Sequence, residues 1–228
     1  MKITCLMFRT CAVLFLMHCV LALNLEQARA QPSREGETEF ALWHVGGFVG
    51  LARDSPAGSF LGVTPGRDHY FVGLHALTRV LRLDPVSISY GIQVLPFVGI
   101  EGRTAPRGYD GPRDADGEVP GPDLAYAYGV SPFGLEVGVY PFRGLGLYGA
   151  AAAGGLIFRD PFPVPEARRT NFTLEYGGGV LIHTGRERWL RLGYKYHHLS
   201  NAYTARVNPG LDGFVFYAGY QVPVRLPR

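Results

Sequence analysis

The feature that most constrains this chain is a series of eight strand-like segments, each with alternating apolar and polar residues. They cover residues 40–52, 67–80, 86–101, 124–141, 144–158, 171–183, 188–200 and 211–223. Most are long enough to cross a bilayer as tilted strands, which takes about 9–11 residues. The 31 Gly, 13 Tyr and 14 Phe of the chain also favour strands over helices. An all-β protein is therefore predicted.

The connections between these segments alternate in length. The first, third, fifth and seventh are long, at residues 53–66, 102–123, 159–170 and 201–210, whereas the other three are tight turns. This alternation is typical of an outer-membrane barrel with short periplasmic turns and longer external loops. It predicts an eight-stranded antiparallel up-and-down transmembrane β-barrel, with 102–123 as a flexible external loop. A soluble lipocalin-like barrel also has eight strands, but it would not need such apolar outward faces.

The first 30 residues have the composition of a secretory signal peptide. Lys2 and Arg9 supply a basic start, residues 11–23 form an apolar run, and Ala28-Arg29-Ala30 fits a cleavage site. We therefore predict a signal peptide over 1–30 and one barrel domain over 31–228. All three cysteines lie within the predicted signal, so no disulfide is expected in the mature chain.

The charge balance argues against a nucleic-acid partner. The chain has 22 Lys and Arg against 19 Asp and Glu, a net charge of +3, and the predicted signal carries part of that excess. No strongly basic field remains to attract a polyanion. The part after the signal also lacks 18 successive apolar residues, so no transmembrane helix is expected.

Side-chain alternation along the last two segments separates a membrane face from a lumen face. Tyr194, Tyr196, Phe214 and Phe216 belong to the apolar faces, which in a transmembrane barrel point to lipid. Three polar residues of the seventh segment point the other way: Arg191, Lys195 and His197. We expect Arg191 and Lys195 to pair inside the barrel with mid-strand acids such as Glu136 and Glu175, in a filled lumen.

Three polar residues share the outward face near its outer end. His198 and Ser200 lie two residues apart on one strand, and Asp212 opens the next strand with the same parity. These residue types supply a base, a nucleophile and an orienting acid for ester hydrolysis. Ser200 would attack the ester, His198 would take its proton, and Asp212 would orient the imidazole. The alternative interpretation is a polar strand end that enters a loop.

An oxyanion intermediate would also need hydrogen-bond donors. Asn201 and Asn208 are the nearest side-chain amides, and Asn208 is favoured because it lies in a tight Asn-Pro-Gly turn. Ordinary turn chemistry explains that Asn equally well.

Two stretches, His198-Leu199-Ser200-Asn201-Ala202 and Asn208-Pro209-Gly210-Leu211-Asp212, resemble the PagL-type lipid A 3-O-deacylase family of outer-membrane acyl hydrolases. In that family the His and Ser of this motif are catalytic, and an acid just beyond the turn completes the triad. The chain departs from the family at two positions. Asp212 stands where the prototype has Glu, and Tyr203 stands where Gly is usual.

The resemblance implies a serine-type esterase that removes the 3-O-linked acyl chain from lipid A in the bacterial outer membrane. No cofactor is expected, and no metal either, because the histidines lack the spacing of metal ligands. The resemblance implies lipopolysaccharide and outer-membrane lipids as partners; a homodimer is left open. The outward aromatics Tyr194, Tyr196, Phe214 and Phe216 would guide an acyl chain, or form only a membrane girdle. Two alternatives remain: a non-enzymatic adhesin or structural barrel, and another outer-membrane lipid enzyme such as a phospholipase.

Overall fold

The computed structural model describes residues 40–56, 58, 61–83, 85–142 and 144–227. The predicted signal peptide lies outside these described residues. The strands are β1 (Phe40–Ala52), β2 (Asp68–Leu83), β3 (Val86–Glu101), β4 (Leu124–Phe142), β5 (Leu145–Phe162), β6 (Arg168–Gly185), β7 (Arg188–Ser200) and β8 (Leu211–Pro227). No helix long and apolar enough to span a bilayer occurs among the residues just named.

The eight strands form a closed barrel in which each strand pairs antiparallel with the next along the chain. The predicted fold is therefore confirmed, and three strands have the predicted limits: 40–52, 86–101 and 188–200. The largest difference is in the fifth connection, which is much shorter than 159–170. The β5–β6 ladder continues past an irregularity to the pair Phe162 and Arg168, because both strands rise above the neighbouring wall.

The outer wall of the barrel is apolar. Its exposed large side chains include Val72, Leu74, Tyr128, Val130, Phe133, Leu192 and Phe216. Residues on these strands alternate between this wall and the interior, as the period of a β-strand requires. An apolar outer band is what a strand needs when it faces lipid.

The middle of the lumen is filled by buried ion pairs, as predicted. Arg191 Nη2 lies 2.5 Å from Glu136 Oε2, and Lys195 Nζ donates to Glu175 Oε1 at 2.9 Å. Arg191 also donates to Gln221 at 3.0 Å. Charges removed from water are tolerated when they are paired and hydrogen-bonded in this way.

A hydrophobic layer lies in the barrel on the side of the long loops. Phe71, Val98, Leu156, Leu199 and Leu211 are buried within it. These residues come from five different strands, so the layer ties the strand ends together. The ends of β7 and β8, which carry the predicted site, are therefore held on a packed support.

Candidate active site

The pairing of β7 with β8 brings two of the predicted residues together. His198 and Asp212 are direct partners in the ladder, and His198 Nδ1 lies 2.5 Å from Asp212 Oδ1. Both side chains are buried. When Nδ1–H donates to the carboxylate, Nε2 keeps its lone pair and is available to accept a proton. This is the base and acid arrangement of a serine hydrolase.

Ser200 ends β7, on the same face as His198, and its partner across the ladder is Phe172 of β6. Although it faces the outer wall, it is only 4% exposed. Two residues of strand separate the Cα atoms of His198 and Ser200 by about 6.8 Å. Among the hydrogen bonds of the described residues, none joins Ser200 to His198. Contacts of this kind are often long before substrate is bound.

The β1–β2 loop holds the second oxygen of Asp212. The backbone N–H groups of Leu61 and Gly62 donate to Oδ2 at 3.2 and 2.7 Å. Val63 and Thr64 then donate their N–H groups to the carbonyl of Gly210. The loop residues 61–64 therefore form a strap across the end of β8. Sequence analysis missed this strap, and no local pattern in the sequence marks it.

Gly62 is tightly constrained by its contact with the acid. A Cβ at this position would lie 2.7 Å from Asp212 Cγ and 2.8 Å from the Asp212 backbone nitrogen. Real Cβ atoms do not approach other atoms so closely, so any larger residue must displace either the strap or the carboxylate.

We expect Gly62→Ala to reduce kcat/KM for ester hydrolysis by about 10²-fold, since misplacement of an active-site group by about 1 Å has effects of that size. The rate should be measured on a micellar ester substrate with the folded barrel. Gly149→Ala is the matched control, because a Cβ at that position has its nearest neighbour at 3.8 Å. Full activity of Gly62→Ala would mean that the strap has no part in positioning Asp212.

The two candidate oxyanion donors differ in their environments. The side-chain nitrogen of Asn201 donates to the carbonyl of Val207 at 2.7 Å, which closes the base of the β7–β8 loop. The side-chain nitrogen of Asn208 has no hydrogen-bond partner among the described residues, and its Oδ1 is also unpartnered. Of the two, Asn208 is therefore the one with a free donor.

The four predicted wall aromatics form one cluster below the site. The Tyr194 and Phe214 rings are stacked with centroids 5.9 Å apart, and Phe216 lies 4.7 Å from Tyr194. These three side chains are exposed, with Phe216 reaching 67%. Tyr196 is only 4% exposed, because the Tyr176 ring packs at 4.9 Å from it and the Phe214 ring at 5.7 Å. Tyr196 therefore supports the wall, and the other three form its surface.

Other histidines lie apart from this arrangement. His197 points into the lumen, as predicted, and its ring packs 5.0 Å from Phe71 and 6.2 Å from His69. Within the part of the chain that the structure describes, no group of three or more His, Cys, Asp and Glu could hold a metal ion. His197 and His69 pack against each other and against Phe71 in the lumen.

Part of the chain matches a known protein family. Residues 111–221 match the family model described as lipid A 3-O-deacylase (PagL). Over these residues the chain is similar to the PagL family. The matched segment contains all three proposed triad residues, so the similarity predicted from the sequence is confirmed. The family match and the closed barrel indicate a protein of the bacterial outer membrane and support a lipid A deacylase, a hydrolase.

The fold is also found in a solved structure, and other solved barrels are similar to a lesser degree. The crystal structure of the outer-membrane enzyme PagL has a TM-score of 0.54 and 14% identity, over 79% of this chain and 99% of that one. Neisserial surface protein A, at 12% identity over 79% and 96% of the two chains, has a TM-score of 0.46. Ail of Yersinia pestis, at 13% identity over 81% and 100%, has a TM-score of 0.41. A comparison with curated protein sequences gave no significant match.

The backbone explains the departure at Tyr203. Ala202 and Tyr203 have φ angles of +51° and +61°, so both adopt the left-handed conformation in the turn after Ser200-Asn201. Glycine adopts this conformation without the steric cost that a Cβ brings, so the glycine that the family resemblance implies at this position would fit this backbone better than Tyr203 does. Tyr203 is exposed and accepts the conformation at some cost in stability.

We expect Tyr203→Gly to stabilise the barrel by about 1 kcal/mol, the cost of a non-glycine residue in left-handed backbone. The free energy of unfolding should be compared by urea titration in detergent. Arg206→Gly is the control, because Arg206 is exposed in the same loop but has no positive φ. This change should not stabilise the barrel. A destabilised Tyr203→Gly would show that the Tyr203 side chain makes a contribution larger than its backbone strain.

Proposed function

We propose that this barrel is a serine esterase that removes the 3-O-linked acyl chain from lipid A. The observation that supports it most directly is the 2.5 Å contact between His198 Nδ1 and Asp212 Oδ1. His198 lies two residues before Ser200 on the same outward face of β7. The description of the matched family supplies the substrate and the 3-O position.

The proposed reaction begins when Ser200 Oγ attacks the carbonyl carbon of the ester and His198 Nε2 takes the hydroxyl proton. Asp212 stabilises the resulting imidazolium, and the free side-chain nitrogen of Asn208 donates to the oxyanion. The bond between the acyl carbon and the sugar oxygen then breaks, and His198 returns the proton to that leaving oxygen at the 3-position. In the second half, His198 takes a proton from water, the hydroxide attacks the acyl-enzyme, and the fatty acid leaves as Ser200 regains its proton.

The position of Ser200 suits a substrate that stays in the membrane. Ser200 is the last residue of β7 before an external loop, so it lies near the outer headgroup boundary. The exposed rings of Tyr194, Phe214 and Phe216 lie on the same wall, further into the band of apolar residues. An acyl chain can lie along these rings while its ester reaches Ser200. A membrane girdle alone would also use aromatic residues at this height.

Mass spectrometry of lipid A from cells with and without the protein tests the proposal. The protein should produce lipid A lighter by one hydroxyacyl group, with a free 3-hydroxy fatty acid and unchanged phospholipids. The same barrel with Ser200→Ala should leave lipid A intact. Fatty acid released from glycerophospholipid would indicate a phospholipase, and an absence of any ester cleavage would indicate a non-enzymatic barrel.

A further inference from the structure

We propose that a cavity at the outer mouth of the barrel, centred on Arg67, binds a phosphate group of the lipopolysaccharide headgroup. This inference rests on the proposed function, since it concerns how the same substrate is held. The phosphate site is separate from the proposed triad.

The cavity has a volume of about 550 Å³ and lies between the long loop 102–123 and the β5–β6 connection. Its lining includes Arg67, Arg103, Phe158, Arg159, Asp160 and Phe162. Pro120, Gly121, Pro122 and Pro161 form an exposed rim, so the cavity opens outward. Arg67, Phe158 and Phe162 are buried and form its floor.

Arg67 is a buried cation without a buried anion. The residue is 3% exposed, and its Nη2 donates to the carbonyl oxygens of Thr104 and Pro163 at 3.0 and 3.2 Å. Its guanidinium carbon lies 5.2 Å from the centre of the Phe162 ring. Among the described residues no carboxylate forms an ion pair with it. Burial lowers the pKa of Arg67 to about 10, which leaves it protonated at neutral pH.

The absence of a carboxylate sets Arg67 apart from the other buried arginine. Arg191, in the lumen, is neutralised by Glu136. A charge held away from water is costly unless it is compensated, so the Arg67 site favours an anion from outside the protein. Guanidinium groups bind phosphate well, because their planar donors match its oxygens.

The other charged groups at the cavity lie on the loop 102–123 and at its rim. Three carboxylates, those of Asp114, Glu118 and Asp123, contact Arg103, and Glu118 also attracts Arg67 from a distance. Arg159 stands exposed on the rim without an ion pair among the described residues, and Asp160 is exposed beside it. Arg67 is therefore the cation of the floor that no carboxylate contacts directly, and Arg159 is available at the entrance.

The strand register relates this cavity to Ser200. Ser200 pairs with Phe172 on β6, and Phe172 pairs with Gly155 on β5. Phe158, on the cavity floor, lies three residues further toward the outside along β5. Two strand spacings and three residue steps correspond to about 10 Å across the wall and about 10 Å along it. A disaccharide headgroup is long enough to place one phosphate in the cavity and an ester at Ser200.

Binding can be measured without hydrolysis in barrels that carry Ser200→Ala. The probes are lipid A with its phosphates and the same lipid A after enzymatic dephosphorylation, both in detergent micelles. We expect the parent barrel to prefer the phosphorylated form.

Arg67→Gln should reduce that preference about 10-fold to 100-fold, the range of a charge-assisted contact. Arg159→Gln should reduce it less. Arg186→Gln, an exposed arginine of a turn at the opposite end, is the control and should leave the preference unchanged.

The ratio of the two affinities separates phosphate recognition from a role of Arg67 in holding the loops. Equal losses for both lipids would show that Arg67 only joins Thr104 to Pro163 and would overturn the proposal. If Arg67→Gln does not fold, an unchanged ratio in Arg159→Gln would overturn it as well. Inorganic phosphate that binds at Arg67 without any preference for phosphorylated lipid A would assign the site to free phosphate instead. A retained preference in a barrel that cleaves no lipid A would refute only the proposed function.

Discussion

Ser200→Ala is expected to lower ester hydrolysis by about 10⁶-fold, the effect typical of removing a serine nucleophile. In the proposed reaction the Ser200 hydroxyl forms the new bond, and the other hydroxyl groups on this face of β7, those of Tyr194 and Tyr196, lie deeper in the wall. His198→Ala should have an effect of similar size, and the double variant should lose little more, because the two residues act as a unit. The measurement is kcat on lipid A in detergent micelles, with the release of hydroxy fatty acid as readout.

Controls for these variants come from the opposite end of the barrel. Ser89→Ala and His183→Ala change the same residue types near the short turns and should keep full activity. His197→Ala is unsuitable despite its position next to His198, because His197 is fully buried and its loss would leave a cavity in the lumen. Each variant should keep a β-type circular dichroism spectrum. A folded Ser200→Ala barrel with wild-type activity would refute the assignment of the nucleophile.

Asp212→Asn is expected to lower kcat by about 10⁴-fold, less than the loss of Ser200, because the third residue of a triad orients the base and does not react. The substitution keeps the size of the side chain but removes its charge. The new amide nitrogen would replace one of the two carboxylate oxygens, and at each of them it would face a donor. At Oδ1 the donor is His198, and at Oδ2 the donors are the N–H groups of Leu61 and Gly62. The imidazole would then lose its orientation.

Asp212→Glu supplies the informative comparison for that prediction. It restores the charge and reproduces the residue of the family prototype, but the extra methylene must fit beneath the strap at Gly62. We expect Asp212→Glu to have a kcat on the same substrate between that of Asp212→Asn and that of the wild-type barrel. If Asp212→Asn keeps wild-type kcat, His198 does not depend on this carboxylate and the third member of the triad must be another group.

Much of the architecture was predictable because it depends on local properties of the chain. Strand alternation has a period of two residues, so the facing of His198, Ser200 and Asp212 follows from the strand limits alone. The lumen ion pairs of Arg191 and Lys195 follow from the same rule, since a charge on the inner face must find a partner inside. The strand limits agree with the prediction for β1, β3 and β7 and differ by a few residues in the other strands.

Only the tertiary structure decided the contacts between segments that lie far apart in the chain. The N–H groups of Leu61 and Gly62 reach Asp212 from 150 residues or more away, and no local pattern encodes which loop closes over which strand end. Tyr196 shares the outward parity of Tyr194, yet it is buried because Tyr176 and Phe214 pack against it across two strand boundaries. The Arg67 cavity has the same origin. The strand period determines which way a side chain points, whereas its burial depends on which distant segments pack over it.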